Sequence, residues 1–311
     1  MSTYIARRLL QMIPVLFGIS LIVFLLIRLV GDPVMQLVPD YYTTEQIDAV
    51  REEMGFNRPI VVQYVEFVSR AVRGDFGVSF YNRQPAWQLV IDRVPRTAQL
   101  AGAALGLALL MSVPLGILAA LTRNTPIDLF VTGISVFGRS LPNFWLGLML
   151  MLLFAVWLGW FPVSGAGEFS RYPFLMHLFL PALTLSLALT TTLTRLIRSA
   201  MLEVIQEDHV RTARSKGLRE GRVITKHVLR NALIPVVTVL GLQIGWLLGG
   251  AVIVEEVFAW PGMGRLMLNS ILARDNSVVQ AVLFLTAVII MVVNLMIDIL
   301  YTFLDPRIRY A

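Results

Sequence analysis

Six apolar runs decide most of what this chain can fold into: residues 9–30, 98–121, 134–159, 174–196, 233–254 and 279–303. Each is as long as the roughly 20 residues that a helix needs to cross the hydrocarbon core of a bilayer. Charged residues make up 15% of the 311-residue chain and hydrophobic ones 57%, where a soluble domain carries about 25% charged. The runs therefore predict an all-α integral membrane protein with six transmembrane helices. The first begins as a secretory signal would, with Arg7 and Arg8 before an apolar stretch. That stretch is too long for a signal core and no small-x-small cleavage site comes after it, so it is read as a retained spanning helix.

Charge sets the orientation. Basic residues gather in short cytoplasmic loops, and Arg7, Arg8, Arg123, Arg307 and Arg309 fall on one side if both termini are cytoplasmic. The same side receives the link between the fourth and fifth runs. From Arg195 to Arg230 it holds nine Arg or Lys against Glu203, Glu207, Asp208 and Glu220. The net charge of +6 is thus explained by topology and points away from nucleic acid as a partner. The absence of cysteine excludes disulfides, thiolate metal sites and a cysteine nucleophile.

Outside the membrane lie 31–97, 160–173 and 255–278. Within the first, "TTEQIDAVREEMGF" predicts a helix capped at Thr44, "RPIVVQYVEFVSRAVRG" one starting near Pro59 and stopping at Gly74, and "QPAWQLVIDRVPR" a third. Their amphipathic pattern suits the outer membrane surface or the flanks of other helices.

The basic loop holds both lysines of the protein, Lys216 and Lys226. "SAMLEVIQEDHVRTARSK" predicts one helix prolonging the fourth span and ending at Gly217. "LREGRVITKHVLRNALIP" predicts a second that bends into the fifth span near Pro235. Orientation alone needs only a few charges, and headgroup contact would satisfy them. The interleaved apolar Val210, Ala213, Leu218, Val223 and Ile224 favour docking in a protein groove.

"VRTARSKG" and the residues after it resemble the cytoplasmic Glu-Ala-Ala loop of permease subunits in binding-protein-dependent ABC importers. By position Arg211, Thr212 and Ala213 stand at the triplet, with Gly217 four residues after its last alanine. Arg211 and Thr212 replace the family's Glu and first Ala, and Arg230 stands where many members have proline. Three further stretches, "YIARRLLQMIPVLFGISLIVFLLIRLVGDP", "EEVFAWPGMGRLMLNSILARDNSVVQ" and "LDPRIRY", resemble the first permease subunit of di- and oligopeptide importers, a type shared by glutathione and nickel importers.

The resemblance implies the type I ABC importer permease fold in a bacterial inner membrane. Residues 1–30 would be the first spanning helix, 31–97 a periplasmic helical segment, 98–304 the permease domain with its coupling loop at 198–232, and 305–311 a cytoplasmic tail. It implies as partners a second homologous permease subunit, two ATPase subunits and a solute-binding protein, besides membrane lipid. Docking to the ATPase falls on Glu207, Asp208, Arg211, Thr212, Ala213, Gly217 and Arg230 within 203–230. No GxxxxGK[ST] sequence occurs, so ATP and Mg are expected on the partners and no cofactor on this chain. Peptide, glutathione, nickel chelate and sugar-derived cargo all remain open.

Gly241, Gly245 and Gly249 recur every four residues in the fifth run and form a helix-packing stripe, with Gly102 and Gly106 a weaker copy in the second. Arg28, Arg139 and Asp298 lie within spans, where a charge costs about 2.5–3.5 kcal/mol on insertion scales. Arg28 is near enough to a membrane surface to snorkel. Arg139 has three readings: a pair with Asp298, a place on the translocation path, or snorkelling. Pro142 and Asn143 interrupt the third run and free backbone groups that must face protein or water. Together Arg139, Pro142, Asn143 and Asp298 are candidate path residues.

No HExxH or GxSxG occurs, and His177, His209 and His227 are scattered, so neither a catalytic constellation nor a metal site is expected. The alternative of another class is an ion-coupled secondary transporter. It calls for acidic relays and inverted repeats, of which the chain offers one isolated aspartate.

Overall fold

The computed structural model describes residues 2–30, 42–53, 55–167 and 172–304. In chain order its helices are α1 (Ser2–Val30), α2 (Thr44–Glu53), α3 (Ile60–Ala71), α4 (Ala86–Ile91), α5 (Val94–Leu121), α6 (Pro126–Ser140), α7 (Asn143–Trp157), α8 (Phe174–Val204), α9 (Asp208–Ser215), α10 (Glu220–Ala232), α11 (Ile234–Val257), α12 (Met263–Leu272) and α13 (Asn276–Leu304). Among the described residues the only extended pairing is an isolated bridge between Val78 and Pro85.

Among the described residues four helical stretches have the length and apolar character to cross a bilayer: Arg8–Leu25, Ala86–Leu121, Phe174–Val204 and Asn276–Ile297. Glu220–Ala232 and Ile234–Gln243 form a pair bent by 45° that counts as a fifth if taken as one span. The third apolar run is not one helix. Leu141 and Pro142 are extended (ψ 132° and 135°) and divide it into α6 and a shorter apolar α7 whose second half is a π-helix. The proline ring removes a donor and holds the preceding residue out of the helical region, so the break falls where the sequence requires it.

Two compact units divide the chain: Met1–Pro95 with Arg265–Leu295, and Arg96–Gly264 with Met296–Ala311. In the first, a relay of rings joins α1, α3, α4 and α13. Phe24 meets Tyr64 and Phe67, Phe67 meets Phe76, and Phe76 stacks on Trp87 and touches Phe284. Ser20 on α1 hydrogen-bonds Tyr64 on α3 at 2.7 Å. The cap of α2 falls one residue before the expected Thr44. The Thr43 hydroxyl accepts from the Gln46 N–H while Gln46 Oε1 accepts from the Thr43 N–H, a reciprocal capping box. Gly74 closes α3 in the left-handed region, φ +75°. Asp275, buried, accepts from the buried Ser79 hydroxyl, and this pair anchors the 79–82 turn.

In the second unit α8 is central. Of its most apolar window 61% is buried, against 17–33% for the other three spans. Leu185, Leu189, Leu193, Ile197 and Met201 follow helical spacing into a core shared with α5, α7, α10 and α11. Five hydroxyls on α8 close on their own helix: those of Thr184, Ser186, Thr190, Thr191 and Thr192 donate to carbonyls three or four residues back. This satisfies them without water, as an apolar interior demands.

The close approaches between helices fall partly where glycine spacing placed them. A Cβ on Gly241 would lie 2.6 Å from Ile297, so this end of the stripe packs against α13, whereas Gly249 has nothing within 4 Å. Gly102 and Gly106 also face open space. In α5 the tight contact is instead at Gly116, where a Cβ would meet Ile197 at 2.7 Å. Arg28, Arg139 and Asp298 belong to helices α1, α6 and α13, but their side chains, like residues 31–41 and 305–311, lie outside the described residues.

Candidate functional site

The loop between α8 and α11 is a folded protrusion, though not the one continuous helix expected from α8 to Gly217. α8 ends at Val204, a turn carries the chain through Ile205–Glu207, and α9 starts anew with Glu207 extended at its N-cap (ψ 150°). Asp208 in the first turn of α9 and Arg214 in the last both complement the helix dipole. The far end is a Schellman closure: Gly217 is left-handed (φ +73°), its N–H donates to Arg214 O at 2.9 Å, and Leu218 N–H donates to Ala213 O at 3.4 Å. Gly217 has no neighbour within 4 Å, so its role is conformational.

The apolar residues of the loop do not form a docking surface. Val210, Ala213, Val223 and Ile224 are buried in the chain's own core, and Leu218 packs against it. Their burial seats α9 on α10, which corrects the expectation that they would enter a partner's groove. The face left outward is polar: Glu207, Asp208, Arg211, Thr212, Ser215 and Lys216 are all exposed. Asp208 is almost fully exposed, at 98%. Of the docking residues named from sequence, only Ala213 is turned inward.

Four polar contacts brace the protrusion. Arg214 grips Glu220 through Nη2 at 2.7 Å and Nε at 3.2 Å, closing the turn around Gly217. The hydrogen bond from Arg214 holds the Glu220 carboxyl below its ordinary value. His209 lies 3.0 Å from the Glu207 carboxylate through Nδ1. Its Nε2 lies 3.1 Å from Asn231 Nδ2 and 3.4 Å from His227 O. His209 and His227, distant in sequence, are thus brought together where α9 meets α10. Among the described residues no group of three His, Cys, Asp or Glu is arranged to hold a metal.

Two further clusters escaped the sequence reading. Asp128, buried in the first turn of α6, takes Arg198 of α8 side-on and also accepts from Asn124 N–H. The Arg198 hydrogen bonds hold its carboxyl at about 2. Nothing in the sequence around Asp128 points to its partner 70 residues away. Glu255 at the end of α11 is fully buried. It accepts from the Thr97 hydroxyl at 2.7 Å, and that same hydroxyl accepts from Met263 N–H at 2.8 Å. Gly262 lies against the Glu255 carboxylate so closely that a Cβ would sit 2.1 Å from Oε1. The adjacent acids of "EEVFAWPGMG", directly after an apolar run, were the available signal.

Of the candidate path residues, Asn143 is half-buried at the start of α7, with its amide 3.9 Å from the position of a Cβ on Gly250 of α11. Pro142 is exposed beside it.

Comparison with known proteins extends over the whole chain. It is 42% identical over 316 residues to the oligopeptide transport system permease protein AppB of Bacillus subtilis, covering 100% of both chains. It is 40% identical over 311 residues to the glutathione transport system permease protein GsiC of Escherichia coli (strain K12), again covering 100% of both. In three dimensions it resembles a chain of the inward-facing MetNI methionine ABC transporter at a TM-score of 0.59 and 19% identity, over 70% of this chain and 97% of that one. This last likeness concerns the fold. Residues 1–101 match the N-terminal component, and residues 112–310 the main component, of the binding-protein-dependent transport systems of the inner membrane. The chain therefore belongs to the family of binding-protein-dependent transport system inner membrane components.

Proposed function

We propose that this chain is one of two permease subunits of an ATP-driven importer, forming half of a path for oligopeptides, glutathione or solutes of similar size. Support for the cargo class comes from the relatives named for oligopeptide and glutathione transport. A solute-binding protein delivers the cargo outside, and two ATPase subunits, carrying ATP and Mg, work inside.

The observation that carries the coupling role is the polar outer face of α9, mounted rigidly on the chain's own core through Val210 and Ala213. Force applied to Asp208, Arg211 or Thr212 moves α9, and α9 moves α10 and the end of α8 packed against it. A mobile tether would absorb the same stroke. The contact is electrostatic and polar, so it forms and releases with little rearrangement inside the permease.

The test is co-purification of the ATPase subunits with the tagged chain, together with uptake of a labelled oligopeptide into ATP-loaded proteoliposomes. Charge reversal at the exposed pair, Asp208→Arg with Arg211→Glu, should leave membrane insertion intact and lower both readouts at least tenfold. Wild-type co-purification and uptake in that variant would refute the docking role of α9.

A further inference from the structure

A shallow cavity of about 460 Å³ opens at the elbow between α10 and α11, lined by Lys226, His227, Arg230, Asn231 and Ile234. Lys226 and Arg230 stand four residues apart on the arm and are exposed. On α9 two cations are matched locally, Arg214 by Glu220 and Arg211 by Asp208. Among the described residues neither Lys226 nor Arg230 has such a partner, and no carboxylate lines the cavity. Two like charges one turn apart on a helical arm repel each other until an anion lies between them.

The place of the cavity narrows the anion. Ile234 opens the apolar helix α11 and is 44% exposed, so the cavity has a cationic wall on its α10 side and an apolar edge on its α11 side. The charge-derived topology sets this elbow at the level of the cytoplasmic headgroups, where basic pockets meet lipid phosphates. The wall is preformed: the Asn231 amide donates to His227 O at 3.1 Å and reaches His209 of α9.

We propose that this elbow binds a phosphate group, supplied by an anionic phospholipid of the cytoplasmic leaflet. Lys226 and Arg230 donate to its oxygens, and Ile234 meets the first carbons of the lipid. The site is independent of the coupling role assigned to α9. It makes Arg230, where the sequence resemblance expects proline, a ligand-binding residue.

The test uses the full-length chain in detergent micelles, titrated separately with phosphatidylglycerol, phosphatidylcholine and inorganic phosphate, with bound ligand counted by native mass spectrometry. Saturable binding of one phosphatidylglycerol, at least tenfold tighter than phosphatidylcholine, is expected. Lys226→Gln with Arg230→Gln should weaken it at least tenfold, and the charge-conserving Lys226→Arg with Arg230→Lys should retain it. Arg219→Gln with Arg222→Gln removes as much charge outside the cavity and should change binding less than twofold. Saturable inorganic phosphate binding, lost in the Lys226–Arg230 double neutral variant, would uphold the phosphate site and assign it to a soluble anion. Equal loss in both double neutral variants, wild-type affinity in the first, or no saturable binding of any probe would overturn the proposal.

Discussion

Arg198 approaches Asp128 with both nitrogens of one edge, Nε at 2.6 Å from Oδ1 and Nη2 at 2.7 Å from Oδ2. This joins the first turn of α6 to the C-terminal part of α8. Planar guanidinium–carboxylate pairing fixes direction as well as distance.

Asp128→Asn should therefore destabilise the chain. Removing one partner of a buried pair costs about 3–5 kcal/mol, and partial exposure of Arg198 lowers the expectation to about 2–3 kcal/mol. Unfolding in detergent should show this, and Asp128→Asn with Arg198→Gln should lose less than the two single losses added. The pH dependence has a definite sign. With the carboxyl lowered from 3.8 to about 2, the contribution is complete above the ordinary value and lost as pH falls through about 2. Between pH 8 and 5 the pair should leave the unfolding midpoint unchanged.

Gly217 tests conformation separately from bulk. Its φ of +73° costs an L residue about 1–2 kcal/mol, and no atom lies within 4 Å of an added Cβ. Gly217→Val should uncouple ATP hydrolysis from uptake, while Gly217→Asn, which tolerates the left-handed region, should retain most coupling. The ratio of peptide transported to ATP hydrolysed in proteoliposomes is the measurement.

Gly241 and Gly249 should behave differently despite their shared stripe. Gly241→Leu collides with Ile297 and should cost about 1–3 kcal/mol within the single chain, as overpacking does. Gly249→Leu meets open space in the single chain and should leave its unfolding unchanged. If a second permease subunit packs there, the substitution should reduce recovery of that subunit on pull-down.

Around Glu255 the prediction concerns polar satisfaction. Thr97→Val removes a donor to the buried carboxylate and an acceptor for Met263 N–H, a loss of about 1–3 kcal/mol. Gly262→Ala forces the carboxylate away and should match or exceed it. Thermal unfolding in detergent ranks them, and Thr97→Ser should recover most of the loss.

Four of the six expected crossings, the break at Pro142 and the turn at Gly217 were legible in the sequence because they rest on local rules. Apolar length marks a crossing, Pro142 marks a break, and Gly217 marks a helix end. The orientation of the loop's apolar residues was misjudged for a physical reason. Val210 and Ala213 have the spacing of a helix face, and spacing does not say whether that face meets the chain's own core or another protein. Asp128–Arg198 and Thr97–Glu255 were invisible because their partners lie 70 and 158 residues apart. Gly116 carries no motif, and only the nearness of Ile197 gives it meaning.

Because the hydroxyls of Thr184, Ser186, Thr190, Thr191 and Thr192 are spent on α8's own carbonyls, they tie it to no neighbouring helix. Along that stretch α8 meets its surroundings through greasy, directionless contact, and near Asp128 it is clamped. Such a rod is held by shape along its length and by charge at one end.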